Sequence, residues 1–340
     1  LLISTNGSLG ELPFALLPTK RVRLPNKSKT MFGNYRNVPW LVRTHAITLV
    51  PSAASLVTLR SLPAGNPKRT PFVGFGDPYF NQSQADAARK LQVPPVKVAA
   101  NVSTRGLKIR GLSLSLRAAP RTIGQDKPDL SILPRLPDTA EEVKSLALTM
   151  DADITSSVFL GIKANEKNVK TLDLSGYRVV AFATHGLIPG ELSGLNEPAL
   201  ALSSPRVSSS NGDGLLTMSE ILGLKLDADW VVLSACNTGS SRGNGAEAVS
   251  GLGRAFFYAG TRALLVSSWP VETTSARLLT TDIFKRQKNK SDLARAEALR
   301  QAMVGLIDGP GLIGPEIKET LFYYAHPIFW APFILVGDGA

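Results

Sequence analysis

Trp230-Val-Val-Leu-Ser-Ala-Cys-Asn-Thr-Gly239 is the stretch from which the fold of this chain can be read. Its first four residues are continuously apolar, and small residues and a glycine end the run abruptly. Such a run predicts a strand buried on both faces, as in the middle of a parallel sheet. A second run, Tyr177-Arg-Val-Val-Ala-Phe-Ala183, stops in the same way at Thr184-His185-Gly186. The only cysteine, Cys236, and one of the three histidines, His185, thus fall at the carboxyl ends of buried strands. Open α/β sheets place their chemistry at that end.

Around these two strands the pattern alternates between helix and strand. Thr139 and Glu142 have capping-box spacing, and Val143, Leu146 and Ala147 supply an apolar helical face behind them. Residues 156–160 read as a strand, and Asn165 as the cap of a helix reaching about Leu172. After His185, residues 186–214 are rich in Gly, Ser, Pro and Asn and predict a loop on the rim of a site. Thr217 and Glu220 form a second capping-box pattern. Val249, Leu252, Ala255, Phe256 and Ala259 recur at helical steps over 246–259. A core strand follows at 263–267, then helices over 273–286 and 291–307. A last strand at 329–336 carries Pro332, which predicts an edge position. Helix–strand alternation of this kind implies a parallel sheet with helical crossovers.

The first part of the chain is less regular. Strands are expected at 1–4, across 40–42 and 46–50, and at 71–76, where Asp77-Pro78 makes a closing turn. His45 has no acidic or thiol neighbour in sequence and reads as a structural or surface residue. Residues 79–135 alternate polar, proline-rich and basic segments and read as a surface insertion. The expected organisation is an N-terminal subdomain over 1–135, carrying that insertion at about 79–135, and a second subdomain over 136–340 that holds both strand tips.

The totals limit the function classes. A chain of 340 residues with 44% hydrophobic and 19% charged residues is globular. One cysteine excludes an intramolecular disulfide and any cysteine-cluster zinc site, and it fits a reducing compartment, so a cytoplasmic location is expected. No apolar run approaches the roughly 20 residues of a spanning helix, and no membrane association is expected. The first residue is Leu rather than Met, and the chain reads as a piece of a longer protein whose regulatory region lies upstream. A net charge of +11 invites a nucleic-acid reading. The positive residues are scattered, however, apart from a run over 20–29, and no nucleic-acid motif or basic stretch with interleaved aromatics occurs. A basic solvated surface is the preferred reading, and no nucleic-acid partner is expected.

A cysteine becomes a nucleophile at neutral pH when a neighbour generates its thiolate, and His185 is the natural neighbour if the two strands are adjacent. The amides of Gly186 and Cys236 are then placed to stabilise a developing oxyanion. Taken alone, a single cysteine at a strand end is more often an inert buried thiol. His185, His326 and Cys236 lack metal-ligand spacing, and the glycines of 239–245 match neither a Walker loop nor a dinucleotide fingerprint. Neither a metal nor a cofactor is expected.

Several short motifs occur in an order that resembles the CHAT domain, a caspase-like peptidase domain often found with tetratricopeptide repeats. They are Ala183-Thr-His-Gly186, Gly214-Leu-Leu-Thr217 with Glu220-Ile-Leu222, and Val232-Leu-Ser-Ala-Cys-Asn-Thr-Gly239. Gly251-Leu-Gly-Arg-Ala-Phe256, Val266-Ser-Ser-Trp-Pro-Val271 and His326-Pro-Ile-Phe-Trp-Ala331 follow in register. The resemblance covers nearly the whole chain outside 79–135. It implies a caspase-like α/β sandwich with a largely parallel central sheet flanked by helices. It also implies a cysteine endopeptidase with His185 as general base and acid, Cys236 as nucleophile, and Gly186 and Cys236 amides as oxyanion hole. The implied partners are a protein or peptide substrate and a repeat region or regulatory protein. By position, Trp269 is a candidate wall of the substrate groove, and Asp213 and Glu272 are candidate acids that would favour a basic residue before the cut. The competing reading is a catalytically silent interaction module that keeps the fold, since fold alone does not establish activity.

Overall fold

A computed structural model describes residues 1–5, 9–10, 12–24, 28–91, 107–109, 112–114, 128–234, 245–314 and 319–340. Its centre is an eight-stranded sheet built from β1 (Leu2–Ile3), β2 (Thr48–Leu49), β3 (Thr70–Gly76), β4 (Val158–Leu160), β5 (Tyr177–Ala183), β6 (Trp230–Leu233), β7 (Ala263–Ser267) and β8 (Phe333–Gly337). The order across the sheet is β1-β2-β8-β7-β6-β5-β3-β4. Every pairing is parallel except that of β7 with β8. The sheet therefore takes strands from both the first 135 residues and the remainder.

The strand sequences explain why both faces are covered. Along β5, Val179, Ala181 and Ala183 join one apolar cluster, while Val180 and Phe182 join another. Along β6, Trp230 and Val232 alternate with Val231 and Leu233 in the same sense, as the two-residue side-chain period requires. The first face is packed by α3 (Asp138–Thr149), α6 (Thr273–Asn289) and α7 (Arg295–Asp308), through Val143, Leu146, Leu279, Ile283, Met303 and Ile307. The second is packed by Val169 of α4 (Glu166–Thr171) and by Leu252, Ala255 and Phe256 of α5 (Gly245–Ala259). Helices α1 (Ala53–Ser61) and α2 (Gln82–Leu91) complete the longer elements among the described residues. This is the helix-flanked, largely parallel sheet that the resemblance implies.

Several expectations need correction. The strand expected across 40–50 is a single 3₁₀ turn, Leu41–Arg43, followed by the two-residue β2. Short apolar runs fit either period, and Trp40 is buried all the same, edge-on to Trp330 at 5.6 Å. The last strand is internal, between β7 and β2, rather than an edge. Pro332 precedes it, after the one-turn helix Pro327–Trp330, and needs no ladder donor there, while its carbonyl accepts the Ser268 amide at 2.8 Å. Thr139 and Glu142 make no capping box, since both lie on the buried side of α3 and Thr139 spends its hydroxyl elsewhere. Residues 186–214 are not a plain loop: Gly186–Leu187 and Ala199–Ala201 join Leu215–Thr217 in a three-stranded antiparallel sheet. The Thr217–Glu220 capping box is present with both of its bonds.

The stretch expected to run over the surface at 79–135 enters the core at both ends. Phe80, Leu130 and Leu133 are buried with Leu187, Leu192 and Leu215 in a third apolar cluster. That cluster joins the small antiparallel sheet to the segment leading into α3. Its middle, including residues 92–106 and 115–127, lies outside the described residues.

Candidate active site

The registers level the carboxyl ends of the central strands. Leu233 of β6 lies beside Phe182 of β5, Gly76 of β3 beside Ala183, and Leu160 of β4 beside Gly76. The Ser234 amide extends the β6 ladder by donating to the Phe182 carbonyl at 3.0 Å. One row of residues thus follows the tips: Gly161 after β4, Asp77 after β3, Thr184 and His185 after β5, and Ser234 after β6. Gly161 requires its glycine, with φ at +55° and the Tyr79 ring 2.7 Å from where a Cβ would stand. Cys236, the predicted nucleophile and second oxyanion donor, lies outside the described residues. The sequence carries it two positions past Ser234.

His185 is fully buried. Its Nε2 is 2.8 Å from the Pro134 carbonyl oxygen. A carbonyl only accepts, so Nε2 carries the proton, and in the neutral ring Nδ1 is the nitrogen with the lone pair. Phe80 leans on the imidazole with ring centroids 5.6 Å apart. Behind the ring, the His185 carbonyl accepts the Ala201 amide at 2.9 Å and the Thr184 hydroxyl donates to the Ala201 carbonyl. Gly186 is opposite Leu200. The ladder bond flanking this pair runs from Ala201 to His185, so the Gly186 amide faces away from the Ala199–Ala201 strand.

An ion pair of a buried Asp77 with a half-buried Arg135 lies beside this assembly. Asp77 accepts from Arg135 at both oxygens, Nε to Oδ1 at 2.8 Å and an Nη to Oδ2 at 2.6 Å. Arg135 also covers the Tyr79 ring, 4.8 Å from its centroid. Asp77 has a left-handed backbone, φ +48°, and its amide donates to the Thr139 hydroxyl at 2.7 Å. Burial pushes the Asp77 carboxyl above its ordinary value, against the opposing pull of the guanidinium.

The remaining predicted residues are spread along the same end of the sheet. Trp269 is half-buried just after β7, its indole N–H donating to the Ile328 carbonyl at 3.4 Å. Glu272 is buried and caps α6, accepting from the amides of Thr274 at 3.1 Å and Ser275 at 2.7 Å. Asp213 is exposed on the loop before Leu215–Thr217 and accepts the Leu215 amide at 2.9 Å. Sequence reasoning missed Pro134, Arg135, Asp77 and Phe80. The available signal was Gly76-Asp-Pro78, which ends a core strand in the way that Thr184-His-Gly186 does. No group of three or more His, Cys, Asp or Glu side chains suited to a metal occurs among the described residues, and no helix there is long and apolar enough to cross a membrane.

A family model described as "CHAT domain" matches residues 1–338. Tetratricopeptide repeat protein 28 of Homo sapiens is 30% identical over 124 residues, 36% of this chain and 4% of that protein. The Mus musculus protein of the same name is 28% identical over a stretch of the same length, again 36% of this chain and 4% of that protein. This chain therefore spans a small fraction of the curated relatives it matches. Among solved structures, a Saccharomyces cerevisiae separase–securin complex aligns with a TM-score of 0.43 at 12% identity, covering 89% of this chain and 15% of that one.

Proposed function

The chain belongs to the CHAT domain family, and from that premise we propose that it is a cysteine endopeptidase in which His185 and Cys236 form the catalytic dyad. The observation that carries the reading is the buried imidazole at the tip of β5, on the strand adjacent to β6, with its Nε2 proton given to the Pro134 carbonyl. That bond leaves Nδ1 as the basic nitrogen of a ring with one defined tautomer.

Nδ1 takes the proton of the Cys236 thiol, and the thiolate attacks the scissile carbonyl. The amides of Gly186 and Cys236 receive the oxyanion. As the C–N bond breaks, the imidazolium returns its proton to the leaving amine. Water, deprotonated by the same nitrogen, then cleaves the thioester and restores the thiol. A protein or peptide is the substrate. Trp269 walls the groove, and Asp213 meets a basic substrate residue before the cut, a choice over Glu272 supported by the exposure of Asp213 and the burial of Glu272 in its helix cap. A tetratricopeptide-repeat region or a regulatory protein is the proposed controlling partner, supported by the names of the curated relatives.

A thiol-reactive peptide probe tests the dyad. The protein is expected to label at its single cysteine, and His185→Ala to slow labelling by about 100-fold or more, the usual share of a general base. Cys236→Ala should abolish it. A folded protein that labels no faster than its His185→Ala variant, alone and with a repeat-containing partner, would leave the silent interaction module as the better reading.

A further inference from the structure

We propose that Asp77 and Arg135 act as positioning residues for His185: their ion pair clamps the segment whose Pro134 carbonyl holds the imidazole Nε2 proton. The proposal rests on the reading of His185 as the general base and adds to it the residues that set its tautomer and aim.

Pro134 lies between the 3₁₀ turn Leu130–Ile132 and α3, in a stretch without a helix or strand of its own. No backbone ladder therefore determines where its carbonyl points. Contacts from the segment following β3 do so instead. The Asp77 carboxylate grips the next residue, Arg135, through both arms of the guanidinium, a planar geometry that fixes direction as well as distance. The Asp77 amide meets the Thr139 hydroxyl, which donates in turn to the Leu136 carbonyl at 2.7 Å. Gln84 donates to the Leu133 carbonyl at 2.8 Å, and Asn81 to the Ser131 carbonyl at 2.8 Å. Leu133 and Leu136 are both buried and anchor the stretch on either side of Pro134 and Arg135.

The origin of the clamp in the fold is specific. Asp77 is the first residue past β3, and β3 is the other neighbour of β5, with Gly76 level with Ala183. One neighbouring strand, β6, leads toward Cys236; the opposite neighbour, β3, supplies the hold on the histidine. Asp77 keeps a left-handed backbone that side chains rarely adopt, a strain that persists where the surroundings demand it. The pair also explains a charge placed where burial is costly: Asp77 is 5% and Arg135 18% exposed in their side chains. A hydrophobic pair fills the same volume without that cost, but it cannot fix the direction of a carbonyl.

The test reads the histidine directly and does not depend on proteolysis. In the ¹⁵N-labelled 340-residue protein, long-range ¹H–¹⁵N spectra resolve the imidazole nitrogens of only three histidines. His185 should show a protonated Nε2 and an unprotonated Nδ1. In Asp77→Asn this single tautomer should become a mixture, and peptide-probe labelling of Cys236 should slow by about 10- to 100-fold, as small misplacements of a catalytic group do. The pH at which labelling rises should move with the altered imidazole. Arg135→Lys, which keeps the charge and gives up the fork, should fall between; it is read in the same way should Asp77→Asn fail to fold. A folded variant of either kind whose His185 keeps the pure Nε2–H tautomer and the parent labelling profile overturns the proposal. Failure of the peptidase reading looks different: no labelling in the parent protein, with the tautomer response intact.

Discussion

Glu272 gives its carboxylate to the amides of Thr274 and Ser275 at the start of α6, which makes it part of a helix before it is part of any groove. Its position after a strand tip was visible in the sequence, but its orientation was not. An acid near a site and an acid capping a helix look identical in a string of letters. The two roles separate by experiment. Glu272→Ala should lower stability by about 1–2 kcal/mol through the lost cap, seen as a lower urea midpoint, while Glu272→Asp retains most of it. A change in cleavage preference with an unchanged midpoint would assign the residue to substrate instead. His185 illustrates the same limit from the other side. Its strand was legible because a buried run ends at it. Its hydrogen-bond partner was not, because a backbone carbonyl leaves no signature in the residue type of Pro134.

At the scale of elements, legibility followed the strength of the period. β5 and β7 fall on their expected residues, and the caps at Asn165 and Thr217 make the bonds their spacing predicts. The run expected as strand at 40–42 is a 3₁₀ turn with the strand only at β2, and the run at 329–336 divides between the one-turn helix Pro327–Trp330 and β8, boundaries that an apolar run does not place by itself. In the second of these, His326 caps the helix Pro327–Trp330, its Nδ1 accepting the Ile328 amide at 3.2 Å. Its ring is held by Phe32 at 5.0 Å and Tyr35 at 4.5 Å. Burial holds its pKa below the ordinary histidine value of 6.5. The unfolded chain therefore takes up this proton first as pH falls. The contribution of His326 is full above pH 6.5 and is lost as the pH drops through the lower folded value. Urea midpoints measured between about pH 7.5 and about pH 5 should fall less in His326→Asn, which keeps a cap acceptor but does not titrate. An unchanged acid slope in that variant would place the sensitivity elsewhere.

For the whole molecule, the division into three apolar clusters separates what holds the fold from what shapes the site. The two large clusters cover the faces of the sheet, and their membership follows from the two-residue period of β5 and β6. The third lies at the carboxyl ends and was hidden in the sequence, because its residues come from 80–133 and 187–215, segments whose composition reads as loop. Leu133 belongs to the third cluster and is adjacent to Pro134; Ile283 belongs to the first, on α6. Both are buried, at 1% and 0% exposure, so truncating either to alanine should cost about 2–5 kcal/mol in lost burial and cavity. Their effects on His185 should differ. Leu133→Ala loosens the stretch that presents the Pro134 carbonyl and should shift the imidazole nitrogens and slow probe labelling. Ile283→Ala, at similar cost in urea, should leave both unchanged, since its cavity opens beneath the sheet and away from the strand tips. Equal disturbance of His185 by the two variants would mean that the site reports overall stability rather than the local packing around its carbonyl partner.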